Sequence, residues 1–314
     1  MKAPTISVVI PAHNAAHTIV ACLDSVISQT HPVTEIIVVD DASTDQTLTC
    51  VEDWIRTRGQ KITTIPLSQN GGPAASRNTG IEAAKGEWIA FLDADDAWFK
   101  WRLEIQIAIL QAHPDAILLC GQTTELTDAV DAKQKKPEHI PIPHELTLLQ
   151  LISHNPVATS TVLARRDTLL ERKGFDTTFR GPEDYDLWLR MVAIGTCLYI
   201  PLVLSKYRAT VGSLSMDDRT FLPQVLRVLD KAFSPQGVLW PYRHFRFRAK
   251  AQQYTSASWM AYNRGDRKRA RKLLLRSWLC GPARLAKEKD DPLQRVKLLI
   301  RYCKKGSTDP VPGN

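Results

Sequence analysis

The chain has 314 residues, 44% of them apolar and 24% charged, enough to bury one sizeable core or a core with a smaller appendage. No apolar run approaches the roughly 20 residues that span a bilayer, and the opening MKAPTISVVIPAHN lacks the apolar stretch and cleavage site of a secretory signal, so a cytoplasmic protein is expected. The net charge of +8 is uneven: residues 241–305 hold 19 Lys and Arg against 4 Asp and Glu, which leaves the rest of the chain at −7 and points to an acidic half and a basic half with different tasks. The six cysteines are scattered without a CxxC pair and read as reduced thiols.

Ile6–Ile10 is apolar and β-branched and predicts a strand. Ala16–Gln29 places Ile19, Val20, Leu23, Val26 and Ile27 at helical spacing. Glu35–Val39 predicts a second buried strand, Thr44–Arg56 a helix, and Ile62–Pro66 a short strand. Pro73–Lys85 reads as a helix, its proline suited to the first turn. Trp88–Leu92 predicts a strand, Trp98–Gln111 a helix and Ala116–Cys120 a further strand. Residues 121–145 are polar and proline-bearing and read as a loop. After it come a helix, a strand at Ala158–Ala164, a helix at Glu183–Ala193, a strand at Leu198–Leu204, and a helical, basic stretch from residue 219 onward. Strands separated by single helices give a mostly parallel sheet with helices on both faces. Ligands of such sheets bind outside the carboxyl ends of the strands. Polar clusters fall at those ends: Pro11–Asn14, Asp40–Asp45 and Asp93–Asp96.

Asp93, Asp95 and Asp96 put three carboxylates within four residues. Such charges repel unless a cation joins them. Hard oxygens suit Mg²⁺ or Mn²⁺, which bridge to phosphate and neutralise charge on a leaving diphosphate. The plainer account is a solvated turn whose aspartates cap the helix expected from Trp98. In Asp40–Asp45, Ser43 or Thr44 would cap the next helix; alternatively a strand-end carboxylate accepts hydrogen bonds from a base or ribose. Gly71-Gly72 before a helix is an anion-friendly turn, and Arg77 can fork onto phosphate; an ordinary loop and helix start explains the same residues. Glu183, Asp184 and Asp186 either complement a helix dipole or supply a general base to a sugar hydroxyl.

Taken in order, these clusters resemble the inverting glycosyltransferases of family 2, with the GT-A fold. SVVIPAHNAAHTIVACLDSVISQT is similar to that family's first strand, loop and helix. VVDDASTDQT is similar to its VDDgStDgT element, GGPAASRNTGIEAAKGEWIAFLDADD to its glycine-to-DxD run, and GPEDYDLWLRM to its ED(Y/W)DLW element. The match covers residues 4–215, about two thirds of the chain. It implies a Rossmann-like α/β fold with a C-terminal helical extension. It implies that Pro11, His13 and Asn14 line a nucleoside pocket, that Asp41 contacts the base (typically uracil) and that Arg77 sits near ribose and diphosphate. Asp93 and Asp95 would be the DxD pair, Asp95 meeting a Mg²⁺ or Mn²⁺ ion most directly, with Asp96 beside it. Asp184 would be the catalytic base and Glu183 its neighbour in the acceptor cleft, while Trp188 belongs to the core. One departure stands out. In Tyr207–Ser215 the position where the family often carries His holds Thr210.

In the basic region, Ala270, Leu273, Leu274 and Trp278 form one apolar stripe and Leu293, Val296, Ile300 and Cys303 a second. Basic amphipathic helices of this kind either pack as a hairpin with a solvated basic face or lie on an anionic membrane surface. Aromatic residues are not interleaved with the basic ones, which argues against nucleic acid. The expected organisation is a catalytic domain at 1–218, with a nucleotide-sugar half at 1–120 and an acceptor half at 121–218. A basic helical region at 219–305 and a disordered tail at 306–314 follow. The expected activity is metal-dependent inverting transfer from a nucleotide-diphosphate sugar, a UDP-sugar by resemblance, to a glycan or lipid-linked hydroxyl in cell-surface polysaccharide or lipopolysaccharide synthesis. The alternative is a non-catalytic nucleotide-sugar-binding or scaffold subunit.

Overall fold

The computed structural model describes residues 4–127, 135–208, 217–281 and 294–303. Its first half alternates strand and helix: β1 (Ile6–Ala12), α1 (Ile19–Ile27), β2 (Glu35–Asp40), α2 (Thr47–Arg58), β3 (Thr63–Pro66), α3 (Gly72–Ala83) and β4 (Trp88–Phe91). These four strands lie in the order β3-β2-β1-β4, every neighbouring pair parallel. The clusters after β1, β2 and β4 therefore share one edge.

Both faces of this sheet are covered, because its strands carry apolar residues without alternation. Ile6, Val8 and Ile10 pack with Ile19, Leu23 and Val26 of α1 on one face. Val9 points to the other face, where α3 lies so close that a Cβ added at Gly80 would come within 2.3 Å of Val9 Cγ1.

The sheet then turns mixed. β5 (Ala97–Trp98), α4 (Arg102–Ala112), β6 (Leu118–Glu125), β7 (His144–Glu145), α5 (Leu148–Ser153), a 3-10 turn (Thr159–Thr161), β8 (Leu163–Arg165), α6 (Arg166–Glu171), α7 (Glu183–Val192) and β9 (Cys197–Tyr207) follow. β8 is antiparallel to both β4 and β6, and β6 is parallel to β9.

Three sequence expectations change. Trp98 is in a strand, not a helix: its backbone pairs with Ser205, and its indole Nε1 donates to the Ser160 carbonyl at 2.8 Å. Burial of that ring with a satisfied N–H outweighs the helical spacing. The loop expected over 121–145 instead begins as strand, since β6 continues to Glu125 through a register shift beside Gly121, and His144–Glu145 pairs with β9. Its outward polar side chains hid the backbone pairing. The strand expected at Ala158–Ala164 is mostly the 3-10 turn, with β8 beginning at Leu163.

The chain divides into two compact units: residues 1–147, 156–178 and 183–210, and residues 148–155, 179–182 and 211–314. In the second, α8 (Asp218–Ala232), α9 (Arg246–Asn263), α10 (Arg267–Cys280) and α11 (Gln294–Cys303) form the helical part. Asp218 is fully buried there and paired with Arg264 at 2.5 Å and with Arg269. Ala270, Leu273 and Leu274 are buried, as expected. Of the second stripe, Val296, Ile300 and Cys303 are exposed, and Leu293 lies outside the described residues. α11 instead turns Tyr302 inward to stack on Tyr262 at 4.7 Å, and Arg295 to bond the Gly281 carbonyl at 2.7 Å. Thr210 and the tail at 306–314 also lie outside the described residues.

Because Gly80 meets a rigid β-branched side chain in a close-packed layer, Gly80→Ala is expected to lower unfolding free energy by about 1–3 kcal/mol in urea titration.

Candidate active site

At the β2 end, the chain leaves the sheet through Asp40 and Asp41, both buried. Asp40 Oδ2 accepts from the Ser43 N–H at 3.1 Å. Both Asp41 oxygens are engaged: Oδ1 accepts the Gly71 N–H at 2.7 Å and Oδ2 the Gly72 N–H at 2.8 Å. The anion held by the Gly71-Gly72 turn is thus the chain's own Asp41, which fixes the start of α3 to the end of β2. Gly72 sits at φ 80, a conformation that favours glycine.

At the β1 end, His13 Nδ1 lies 2.8 Å from the Asp41 carbonyl, and Asn14 adopts φ 51. The Asn14 amide oxygen accepts the Thr44 N–H at 2.9 Å, and its own N–H donates to Ser43 Oγ at 2.9 Å. Ser43 and Thr44 therefore tie the β1 and β2 loops together instead of capping α2. That helix begins at Thr47, whose N–H is received by Asp45 at 3.0 Å. Pro11 is half-buried within β1, while His13 and Asn14 stand exposed beside it.

At the β4 end the helix-capping account of the aspartates fails, because α4 starts at Arg102 with Trp101 at its cap. Asp93 to Asp96 form a tight turn instead, the Asp96 N–H donating to the Asp93 carbonyl at 3.0 Å. Asp93 accepts from Arg77 Nη2 at 2.7 Å. Burial, and then Asp93, push the Asp95 carboxyl up in pKa. The same causes, burial first and Asp93 next, push Asp96 up to about 8. Asp96 also accepts from Ser160 Oγ at 2.6 Å and from the Arg208 N–H at 3.2 Å. Ser160 Oγ in turn accepts the Asp93 N–H at 3.2 Å.

Arg77 links this turn to α7. Its Nη1 donates to Glu183 at 3.0 Å while Nη2 holds Asp93. The Arg77 and Glu183 side chains are 7% and 4% exposed against 33% for Asp93, so the pair on the α7 side is dry and the other is partly wetted. Burial works against the charged guanidinium, but Asp93 and then Glu183 outweigh it and raise its pKa. Phe175 lies under the guanidinium, 5.3 Å from its ring centre.

Asp184 follows at the first turn of α7. Burial, then Glu183, push its carboxyl up to about 7, against the pull of Arg77. It accepts from the Tyr185 N–H at 2.6 Å and from Thr159 Oγ1 at 3.3 Å. Asp186 turns away to bind Arg190 at 2.8 Å, which brackets the Gly174 carbonyl at 2.7 Å. Trp188 is fully buried against Phe91 and Phe175.

The structure thus assembles Arg77, Asp93, Glu183 and Asp184 into one connected group, with Asp95 and Asp96 on the adjoining turn. Ser160 and Thr159, which join the two ends, escaped the sequence analysis; the only signal was a polar Thr-Ser-Thr inside an otherwise apolar stretch. Among the described residues no three His, Cys, Asp or Glu side chains converge as a ready ligand set for a metal. The carboxyls of Asp95 and Asp96 are nonetheless raised, by burial first and by crowding against Asp93 next. A divalent cation would relieve that crowding. Mg²⁺ in particular takes one or two carboxylates and completes its shell with substrate phosphate and water.

The family model described as Glycosyl transferase family 2 matches residues 7–172. A Bacillus subtilis protein described as putative teichuronic acid biosynthesis glycosyltransferase TuaG is 30% identical over 213 residues, covering 68% of this chain and 82% of its own. The Escherichia coli UDP-Glc:alpha-D-GlcNAc-diphosphoundecaprenol beta-1,3-glucosyltransferase WfgD is 31% identical over 212 residues, covering 67% and 79%. Among solved structures, S. aureus TarS 1-349 in complex with UDP-GlcNAc matches with a TM-score of 0.64 at 20% identity, over 95% of this chain and 89% of that one. The mannosyltransferase PcManGT from Pyrobaculum calidifontis, in complex with GDP-Man and Mn2+, matches at 0.59 and 20% identity, over 96% and 80%. These likenesses show the GT-A fold.

Arg77→Met keeps the bulk of the side chain but removes the cation shared by Asp93 and Glu183. It is expected to lower unfolding free energy by about 3–5 kcal/mol in denaturant titration. A loss below about 1 kcal/mol would show that the buried pair is not held by charge.

Proposed function

This chain belongs to glycosyl transferase family 2, and from that premise we propose that it is a metal-dependent, inverting enzyme that transfers a sugar from a nucleotide-diphosphate donor to a hydroxyl. The observation that carries this reading is the chain of contacts Asp93–Arg77–Glu183 with Asp184 next in sequence. It sets a partly wetted acidic turn, suited to a cationic phosphate complex, against a carboxyl whose pKa is pushed to about 7, suited to a base.

Asp93 and Asp95, with Asp96 beside them, would hold Mg²⁺ or Mn²⁺. When bound, the ion supplies positive charge against the diphosphate. Arg77 keeps Asp93 in place and adds its own field at the same point. His13, Asn14 and Pro11 line the β1 end and face the nucleoside. Asp41 reaches the base through the loop it fixes. Asp184 removes the proton from the acceptor hydroxyl, which attacks the anomeric carbon opposite the diphosphate, and one displacement inverts the configuration. Holding donor and acceptor in line contributes much of the rate.

For the donor, a UDP-sugar is favoured: the Escherichia coli relative is named for UDP-Glc and the TarS neighbour holds UDP-GlcNAc. For the acceptor, the same relative is named for a diphosphoundecaprenol-linked sugar and the Bacillus subtilis one for teichuronic acid. A glycan or lipid-linked hydroxyl in cell-surface polysaccharide or lipopolysaccharide synthesis follows by likeness. A lipid-linked acceptor requires a protein that works at the membrane, and no helix among the described residues is long and apolar enough to cross one. α10 offers another route. Its exposed side carries Lys268, Arg271, Lys272 and Arg276 together with Leu275 and Leu279, all on one helical face. That composition fits peripheral attachment to an anionic inner membrane surface, the lysine and arginine stems lying along the lipid.

Three outcomes test the reading. Release of nucleoside diphosphate from a panel of nucleotide sugars should require Mg²⁺ or Mn²⁺; a protein that binds no donor with either ion would instead be a scaffold subunit. Asp184→Asn should keep donor binding but lower turnover by about 10²–10⁴-fold. The acceptor-dependent rate of the native enzyme should rise with pH through about 7 and level off above it, because only the ionised Asp184 accepts a proton. Burial first, then Glu183 from the same helix, raise that midpoint against the pull of Arg77 from α3 and the hydrogen bonds from Tyr185 and Thr159, and the Asn variant should lose the rise. Separately, the protein should co-sediment with anionic vesicles and not with neutral ones, and Leu275→Glu with Leu279→Glu should abolish the difference.

A further inference from the structure

We propose that the 3-10 turn Thr159–Thr161 is a positioning element for the transfer, Ser160 setting the aspartate turn and Thr159 setting the base, so that donor and acceptor ends are held in one register. The inference rests on the activity proposed above and names residues outside the set that activity implicates.

The turn is gripped from behind by its carbonyls. Trp98 Nε1 donates to the Ser160 carbonyl at 2.8 Å, Gln106 Nε2 to that of Thr161 at 2.9 Å, and Arg102 Nη2 to that of Val162 at 2.8 Å. Arg102 is fully buried, and burial alone, with no carboxylate opposing it among the described residues, pushes its guanidinium well down in pKa. Its guanidinium lies 3.9 Å over the Trp98 ring, bonds Gln106 Oε1 at 3.1 Å, and leaves Nη1 without a partner. A buried arginine held only by a carbonyl, an amide and a ring is an expensive way to hold a turn. A turn serving only to fill space would be held as well by an apolar side chain of the same volume.

The side chains of the same turn point at chemistry. Ser160 Oγ donates to Asp96 Oδ2 at 2.6 Å and accepts the Asp93 N–H at 3.2 Å, so one hydroxyl orients both ends of the acidic turn. Thr159 Oγ1 donates to Asp184 Oδ2 at 3.3 Å, a long contact of the kind that tightens when substrate is bound. Thr161 Oγ1 accepts the Gly121 N–H at 3.0 Å and anchors the turn to β6. Three successive residues thus bond the donor side, the base and the sheet. Together with Arg77 the turn closes a second link between Asp93 and Asp184, running through hydroxyls where the first runs through charge.

The test separates the two hydroxyls by readouts that a purely structural turn would not split. UDP and GDP are titrated calorimetrically with Mn²⁺, and the Asp184 carboxyl is followed by carbon NMR across pH. Ser160→Ala should weaken binding of the nucleotide that the native protein takes by roughly tenfold, and leave the Asp184 midpoint in place. Thr159→Val should leave nucleotide affinity unchanged and move that midpoint upward, since a donor to the carboxylate is lost while Glu183 and Arg77 remain. Thr159→Ser, which keeps the hydroxyl, should restore the native midpoint. Melting temperatures of all variants should stay within a few degrees of the native value. If both variants shift both readouts together, or lower only the melting temperature, or if Thr159→Ser behaves like Thr159→Val, the positioning role is wrong. A native protein that binds neither UDP nor GDP with Mn²⁺ would overturn the activity itself along with this inference.

Discussion

The site depends on one buried cation. Arg77 reaches from α3 between two elements far apart in sequence, holding Asp93 after β4 with one nitrogen and Glu183 at the start of α7 with another. Two carboxylates brought to such a place without a cation would repel one another. Arg77 lies between them and bonds both, while burial first, and then the charge of Asp93 or Glu183, pushes the carboxyls of Asp95, Asp96 and Asp184 upward. Those are the groups to which the proposed function gives the metal and the acceptor proton.

Placing that cation is the work of the sheet. The parallel order β3-β2-β1-β4 brings to one edge three loops, around residues 13, 41 and 93, that are far apart along the chain. Asp41 then locks the start of α3 by taking the Gly71 and Gly72 N–H groups. This spends the helix N-terminus on an internal anion and fixes the direction of α3, and with it the reach of Arg77. The closeness of α3 to β1 at Gly80 has the same effect. Backbone constraints distant from the chemistry thereby set the position of the one side chain that joins both halves of the site.

Much of this was legible in the sequence. The apolar β-branched runs Ile6–Ile10 and Glu35–Val39 became buried strands because nothing in them competes with that outcome. The places of Asp93 just past a strand and of Asp184 in the first turn of a helix were legible in the sequence. What escaped was pairing between distant groups. Arg77 reads as a free phosphate fork until its partners are seen, and Gly71-Gly72 as a phosphate turn until Asp41 is found in it. Trp98 has helical spacing, yet a satisfied indole N–H and a strand partner decide its place. The inward turn of Tyr302 escaped for a similar reason: it stacks on Tyr262, and no local pattern encodes a ring 40 residues away.

The most direct measurement is a crystal structure of the protein with Mn²⁺ and a non-transferable UDP-sugar. The expected result is a diphosphate against Arg77 and the Asp93–Asp96 turn, with the Asp184 carboxyl across the sugar ring from the diphosphate, facing the anomeric carbon from the opposite side. A nucleotide seated away from that edge, or an Asp184 carboxyl on the same side of the ring as the diphosphate, would contradict it.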